Sequence, residues 1–364
     1  LLTAPASPVA GVLLALALTA WALHAGRPRL LCVAGLAVAP IGAAMLVFPQ
    51  GGQFPFRLGA LCWSLAVVAV VAVATAERVV RVGAALYAVG CIVTFLVPNP
   101  LGANATRLGM FFAAPVLVLT ARRLRTPIIA IVLTAMIWWQ WSPGLDGIVR
   151  AGRDPSSTAD YHQPLIGAVR SAGGPAGRIE VVPTQRHWET MYVAAEVPLA
   201  RGWERQLDMG RNPLLYDATL DSQAYHQWLR DHAVRYVALA DVPLDPSAEP
   251  EAALIRGGLP FLQPLWHDDH WQLWRVVDAQ PLIEGPARLV ELGPTSVQLE
   301  VIDAGAVLVR VRYSSHLSLD VPGCVEPSPD GWTTIQVERP GSVTLRPVVA
   351  RSLPLIGRLD DCAT

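Results

Sequence analysis

The chain divides into two parts of opposite character, and that division constrains its fold more than any motif does. Up to residue 141 the only charged side chains are nine arginines and Glu77. Six apolar stretches lie among them, at about 9–25, 30–48, 58–76, 80–97, 108–121 and 126–141. A helix needs about 20 apolar residues to cross a ~30 Å hydrocarbon core, and the first four stretches approach that length. The last two are shorter, roughly 22 Å each by the 1.5 Å rise per residue. They cannot form one helix, because Arg122, Arg123 and Arg125 stand between them. Burying three guanidiniums at mid-bilayer costs several kcal/mol, so a tight hairpin is expected there. One cleavable leader does not account for six such stretches.

Residues 142–364 hold the other 19 arginines and the 28 remaining acids, so the first part is net +8 and the second net −9. A globally neutral chain is thus a basic membrane part joined to an acidic, water-facing part. No basic stripe with interleaved aromatics is present, which argues against a nucleic-acid partner. The Val, Leu and Ala content argues against disorder. Five cysteines are too few for a disulfide scaffold. Arginine without any lysine reads as codon bias of a GC-rich genome. The chain opens on Leu1-Leu2 rather than Met, as expected for a piece of a longer protein.

Arginine placement predicts the orientation. The first, third and fifth connections carry Arg27 and Arg29, Arg78 and Arg81, and Arg122, Arg123 and Arg125. The second and fourth carry Arg57 and Arg107 alone. By the positive-inside rule the arginine-rich connections are cytoplasmic, which puts residues 142–364 outside a plasma membrane crossed several times. Trp138, Trp139 and Trp141 end the sixth stretch where an outer aromatic belt belongs. Pro40 and Pro115 inside spans read as kinks. The fourth connection, Pro98 to Arg107, is polar and ends in one arginine at a helix start. Two readings stay open for Asn104 and Arg107. One is a loop gripping a phosphate or carboxylate; the other is a turn with a snorkelling arginine.

Beyond residue 141 a linker rich in Gly, Pro, Ser and Asp is expected at 142–160. Residues 161–280 read as an α/β domain with a partly parallel sheet. Its strands fall near 178–183 and 235–240, its helices near 222–233 and 249–257. Leu259–Val277 reads as a hairpin whose Trp266, Trp271 and Trp274 could pair across the strands. His267-Asp268-Asp269-His270 at its tip has good ligand types, but neighbours in a tight turn cannot all face one ion. A solvated tip is the reading, with no metal or other cofactor. From 281 to 364 short strands alternate with turns, the pattern of a β-sandwich. Cys324 and Cys362 lie outside the membrane part and are expected to form a disulfide.

Candidate chemistry clusters in two runs. His187-Trp188-Glu189 follows the first strand, and ligands of α/β folds bind at strand carboxyl ends. The run from Arg201 to Asp208 holds Trp203, Glu204 and Arg205 as well. Its arginines can grip an anion and its tryptophan can stack on a sugar; an ion-paired structural segment is the alternative. No nucleophile elbow, phosphate loop or spaced zinc set is present. The spans hold no acid except Glu77 at a cytoplasmic end, which argues against a coupled transporter.

The runs Leu199–Asp208 (LARGWERQLD), Trp228–Pro243 (WLRDHAVRYVALADVP) and Pro264–Val276 resemble integral membrane proteins of actinobacteria. The architecture resembles the GT-C superfamily of glycosyltransferases that use lipid-phospho-sugars. That resemblance implies transfer from a polyprenyl-phosphate-linked sugar at the outer membrane face. Arg107 would meet the lipid phosphate, and Arg201, Glu204 and Arg205 would line the acceptor side. It also implies an acid in the first outer loop, with a divalent metal admitted there. Leu1–Pro8 holds no acid, so the enzyme reading places it upstream of Leu1. The alternatives are a membrane-anchored envelope scaffold or binding protein and, third, a transporter.

Overall fold

The computed structural model describes residues 2–48, 52–122, 125–173 and 177–348. The chain forms two compact units, Leu1–Arg153 with Glu204–Arg211, and Asp154–Trp203 with Asn212–Thr364.

The first unit is helical: α1 (Thr3–Ala6), α2 (Pro8–Ala25), α3 (Arg29–Val47), α4 (Leu58–Ala74), α5 (Arg78–Leu96), α6 (Arg107–Thr120) and α7 (Thr126–Ala151). Every predicted apolar stretch is helical. Five segments are long and apolar enough to cross a membrane, the fifth being α7 and the fourth a 3-10 turn plus α6; α4, at 17 residues, is apolar but shorter. Local signals explain the ends of α2. Ser7 Oγ accepts from the Ala10 amide at 3.3 Å, Pro8 fills the first turn, and Gly26 closes the helix at φ +60°. The burial pattern is that of a lipid-facing bundle. Leu46, Leu119, Ile131 and Ile148 are exposed, while Ala20, Ala22, Ala34 and Ala37 are buried. Small residues let helices approach closely, and large apolar ones face outward. One difference from the sequence reading is that α7 continues to Ala151 through the expected linker. Pro143 removes one helix hydrogen bond, and the turns on either side carry the helix past it.

The two ends of the bundle are distinct. At one, Thr75 pairs with Ala121 and the Arg122 amide donates to Ala74 O at 3.1 Å. This is the arginine-rich end, bearing Arg78, Arg81 and Arg122. At the other, the Phe54 amide donates to Asn99 O at 3.0 Å and the Gln53 amide to Gln206 O at 3.1 Å. Trp139 lies edge-on to Trp63 near the start of α4, which brings the tryptophan cluster to this second end.

The second unit begins with α8 (Ala159–Ser171), β1 (Arg178–Val181) and α9 (Glu189–Tyr192). The chain then places α10 (Arg205–Arg211) in the first unit and resumes with α11 (Ser222–Asp231), β2 (Val234–Ala240), α12 (Glu249–Arg256), β3 (Leu262–His267) and β4 (Trp271–Val276). The sheet order is β1-β2-β4-β3, with β1 and β2 parallel and the other pairs antiparallel. Successive β2 side chains point to opposite faces. Tyr236, Ala238 and Ala240 join a core with Leu165 and Val169 of α8. Val237 and Leu239 join another with Tyr225, Trp228 and Leu229 of α11. The hairpin tryptophans do not pair as expected. Trp266 faces Leu273 and Trp274 faces Pro264 across the strands, and Trp271 is buried in the α8-side core. A register shift between Pro264 and Trp266 moves the pairing by one residue.

The remainder is a β-sandwich. One sheet has the order β10-β11-β8-β5 and the other β6-β7-β12-β9. In chain order these strands are β5 (Ile283–Glu284), β6 (Ala287–Leu292), β7 (Val297–Val301), β8 (Gly305–Arg312), β9 (Leu317–Leu319), β10 (Gly323–Pro327), β11 (Trp332–Val337) and β12 (Gly341–Pro347). Alternating residues such as Leu299, Val307, Val309, Ile335 and Val343 fill the space between the sheets. Several elements escape the sequence reading, among them α8, β5 and β10. In α8, Pro164 and Gly167 disguise the buried stripe Tyr161, Leu165, Ile166 and Val169. β5 is only two residues long, and β10 is framed by Gly323 and Pro327.

Within this unit the α/β part meets the sandwich through buried basic and aromatic groups. Arg178 donates to His232 O at 2.9 Å and to Arg310 O at 2.6 Å. The Arg312 guanidinium lies 4.3 Å from the Trp332 ring centre. His232 donates from Nδ1 to Trp228 O at 2.9 Å, which leaves Nε2 to accept from Arg312 at 3.3 Å. Burial first, then Arg312 and Arg178, hold His232 down at about 4, so it is neutral at pH 7.

Candidate functional site

The membrane unit presents the first candidate. Tyr87 is the middle residue of α5, about 13 Å from either end by helical rise. Its hydroxyl donates to Ala105 O at 2.8 Å and accepts from the Gly109 amide at 3.2 Å. The 3-10 turn Gly102–Thr106 and the start of α6 are therefore tied to the side of α5. Asn99 secures the turn, donating to Thr94 O at 2.9 Å and accepting from the Gly102 amide at 2.8 Å. Gly102 is required: its φ is +42°, and a Cβ would fall 1.9 Å from Phe54 O. Asn104 is half-buried in the turn, and Arg107 opens α6 with an exposed side chain. The sequence read this segment as a connection between two spans; the Tyr87 bonds add that it packs against α5.

The second unit presents another. The loops leaving the parallel strands β1 and β2 run side by side. The Gln185 amide donates to Pro243 O and the Asp245 amide to Pro183 O, both at 2.9 Å. The first loop carries Thr184, His187 and Glu189; the second carries Asp245. Thr184 donates to Glu189 at 2.6 Å. His187 Nδ1 lies 3.2 Å from Glu189 Oε1 and Nε2 lies 3.4 Å from Asp245 Oδ2. Burial lowers the His187 pKa, but its bonds to Asp245 and Glu189 outweigh burial and raise it to about 9. At neutral pH it is an imidazolium held between two carboxylates, which suits orienting better than proton abstraction. Its backbone is left-handed, at φ +57°. A shallow cleft lies here, lined by His187, Glu189, Thr190, Gly202 and the exposed Trp203.

Arg201 borders the same cleft but is 5% exposed. Its Nε donates to Glu180 at 2.8 Å and its Nη2 to Glu251 at 2.6 Å, while Tyr225 donates to Glu251 at 2.7 Å. The guanidinium thus ties β1, α11 and α12 together. Glu204, Arg205 and Asp208 fall in the first unit, where Asp208 is buried. The predicted run is therefore divided. His187, Glu189, Arg201 and Trp203 share one cleft in the second unit, and Asn104, Arg107, Glu204, Arg205 and Asp208 belong to the membrane unit.

Thr184 and Asp245 escaped the sequence reading. Asp245 lies 58 positions from His187, and only the pairing of the two loops joins them. At the hairpin tip, His270 Nδ1 lies 3.0 Å from Asp241, outside the four-residue turn. Among the described residues no group of three or more His, Cys, Asp or Glu is placed to hold a metal. Cys324 stands on β10, and Cys362 lies outside the described residues. No protein-family model, curated protein or solved structure matches the chain.

Proposed function

We propose that this integral membrane protein recognises a polyprenyl-phosphate-linked sugar at the outer face of the plasma membrane and acts as a GT-C-like glycosyltransferase. The observation that carries the reading is the turn before α6, held to Tyr87 of α5, which opens that helix with the exposed Arg107. A guanidinium at a helix start supplies the donors a phosphate needs. The arginine-rich end of the bundle faces the cytoplasm in this reading, so residues 154–348 are extracytoplasmic. The cleft of the second unit, taken by itself, has the exposed Trp203 as a face on which a sugar could stack.

The test is binding of undecaprenyl phosphate to the full chain in nanodiscs. Arg107→Ala is expected to weaken it at least tenfold, the loss of one charge-assisted contact, with helix content unchanged. Equal binding by wild type and variant sinks the assignment. A second reading, a membrane-anchored scaffold or binding protein, is favoured by the Arg201 network, which commits two glutamates of the unit to structure. Transfer of sugar by the full-length natural protein separates the two readings.

The extracytoplasmic reading carries the Cys324–Cys362 disulfide with it. Alkylation of non-reduced protein is expected to leave both cysteines unlabelled and to label them after reduction. Full labelling of both without reduction disposes of the pair.

A further inference from the structure

The helical unit contains an apolar groove beside the start of α6. It lies between α2, α4, α5 and α6 and has a volume of about 240 Å³. Its walls include Ala17, Ala20, Gly83, Ala84, Phe112 and Val116. Small residues on facing helices ordinarily bring the helices into contact; here they leave a channel. From Val79 to Tyr87 it runs about 12 Å along α5, close to the ~15 Å of one leaflet's hydrocarbon. Its deep end is the mid-depth Tyr87. Its other end is the arginine-rich end, where Arg78, Arg81 and Arg122 are exposed and, among the described residues, in no ion pair. Glu77 is the one described acid there.

We infer that the groove holds an acyl chain of an anionic phospholipid drawn from the arginine-side leaflet, with its phosphate among Arg78, Arg81 and Arg122. Three features select this occupant. The lining takes hydrocarbon only, its length matches a chain that enters from one face and stops at mid-bilayer, and the positive charge sits at the headgroup end. Basic pockets between membrane helices on one face hold anionic headgroups for the same reason. The groove meets the start of α6 at Leu108 and Gly109, but the inference does not depend on the glycosyltransferase reading.

The full chain is reconstituted in nanodiscs of equimolar phosphatidylglycerol and phosphatidylcholine, then extracted in mild detergent. Retained lipid is counted by native mass spectrometry. About one phosphatidylglycerol per chain is expected, retained up to about a hundredfold over phosphatidylcholine from three nearby arginines. Gly83→Phe projects a ring into the groove and is expected to abolish retention. A Cβ at Gly83 makes only an ordinary contact with Ala20, at 3.5 Å. Arg78→Gln with Arg81→Gln and Arg122→Gln alters only exposed side chains and is expected to bring the lipid ratio to about one. Retention at the bulk ratio by wild type overturns the proposal. So does full retention by Gly83→Phe with an unchanged melting curve. Recovery of a polyprenyl phosphate instead of phosphatidylglycerol, from protein purified out of native membranes, overturns it as well.

Discussion

Arg201→Met is expected to destabilise the second unit by about 3–5 kcal/mol, the usual loss when one partner of a buried ion pair is removed. For a unit of this size that is a melting-temperature drop of roughly 10 °C. The cause is what remains behind. Glu180 and Glu251 are 0% and 1% exposed, and both direct a carboxylate oxygen at the guanidinium. Tyr225 cannot replace the cation. Burial, then Glu251 and Glu180, push its hydroxyl well above the usual tyrosine range, so it stays protonated and only donates. Arg201→Lys is expected to recover part of the loss, because an ammonium keeps the charge without the planar fork. Adding Glu180→Gln and Glu251→Gln to Arg201→Met is expected to recover more, by removing the stranded charges. The readouts are thermal melting of the full chain and hydrogen exchange of the β1 amides. A melting temperature within about 2 °C of wild type for Arg201→Met contradicts the account, since ~3 kcal/mol must move it further.

The second large effect is a stability window in pH. His232 sits at about 4 in the folded chain, against about 6.5 unfolded. Below pH ~6.5 the unfolded chain takes up a proton that the fold refuses, so stability falls as pH drops toward 4, by at most about 3 kcal/mol. His187 works in the opposite direction. Its folded value of about 9 stabilises fully below pH ~6.5, and that contribution is lost as pH rises through 9. The second unit is therefore expected to be most stable near pH 6.5. Urea unfolding at pH 4.5, 6.5 and 9.5 checks this. His232→Gln is expected to flatten the acid limb alone and His187→Gln the alkaline limb alone. If His232→Gln shows the same acid slope as wild type, other groups set that limb and the junction explanation is wrong.

How much of this was legible beforehand depends on range. The β7 strand declares itself by alternation within a few residues, β2 by a short apolar run, and the membrane helices by the gaps between arginines. Helix α8 hides behind Pro164 and Gly167, which read as breakers although the stripe Tyr161, Leu165 and Val169 remains in register. His187 and Glu189 were legible because they follow a strand. Their partner Asp245 was not, since it reaches them through the parallel pairing of β1 and β2. Arg201 carried the residue type of an anion-binding group, yet residue type cannot tell a substrate's carboxylate from a glutamate of the same chain.

By itself, then, the sequence determined which segments are apolar helices, where strands alternate with helices, and where strands alone remain. These are short-range consequences of solvent preference and of periods 3.6 and 2. Tertiary structure alone tied the turn before α6 to α5, through a tyrosine hydroxyl that bonds Ala105 and Gly109. It alone paired Arg201 with Glu180 and Glu251, and divided the run around Trp203 between two units. Each of these rests on contacts between residues far apart in the chain, and local pattern carries no term for such contacts.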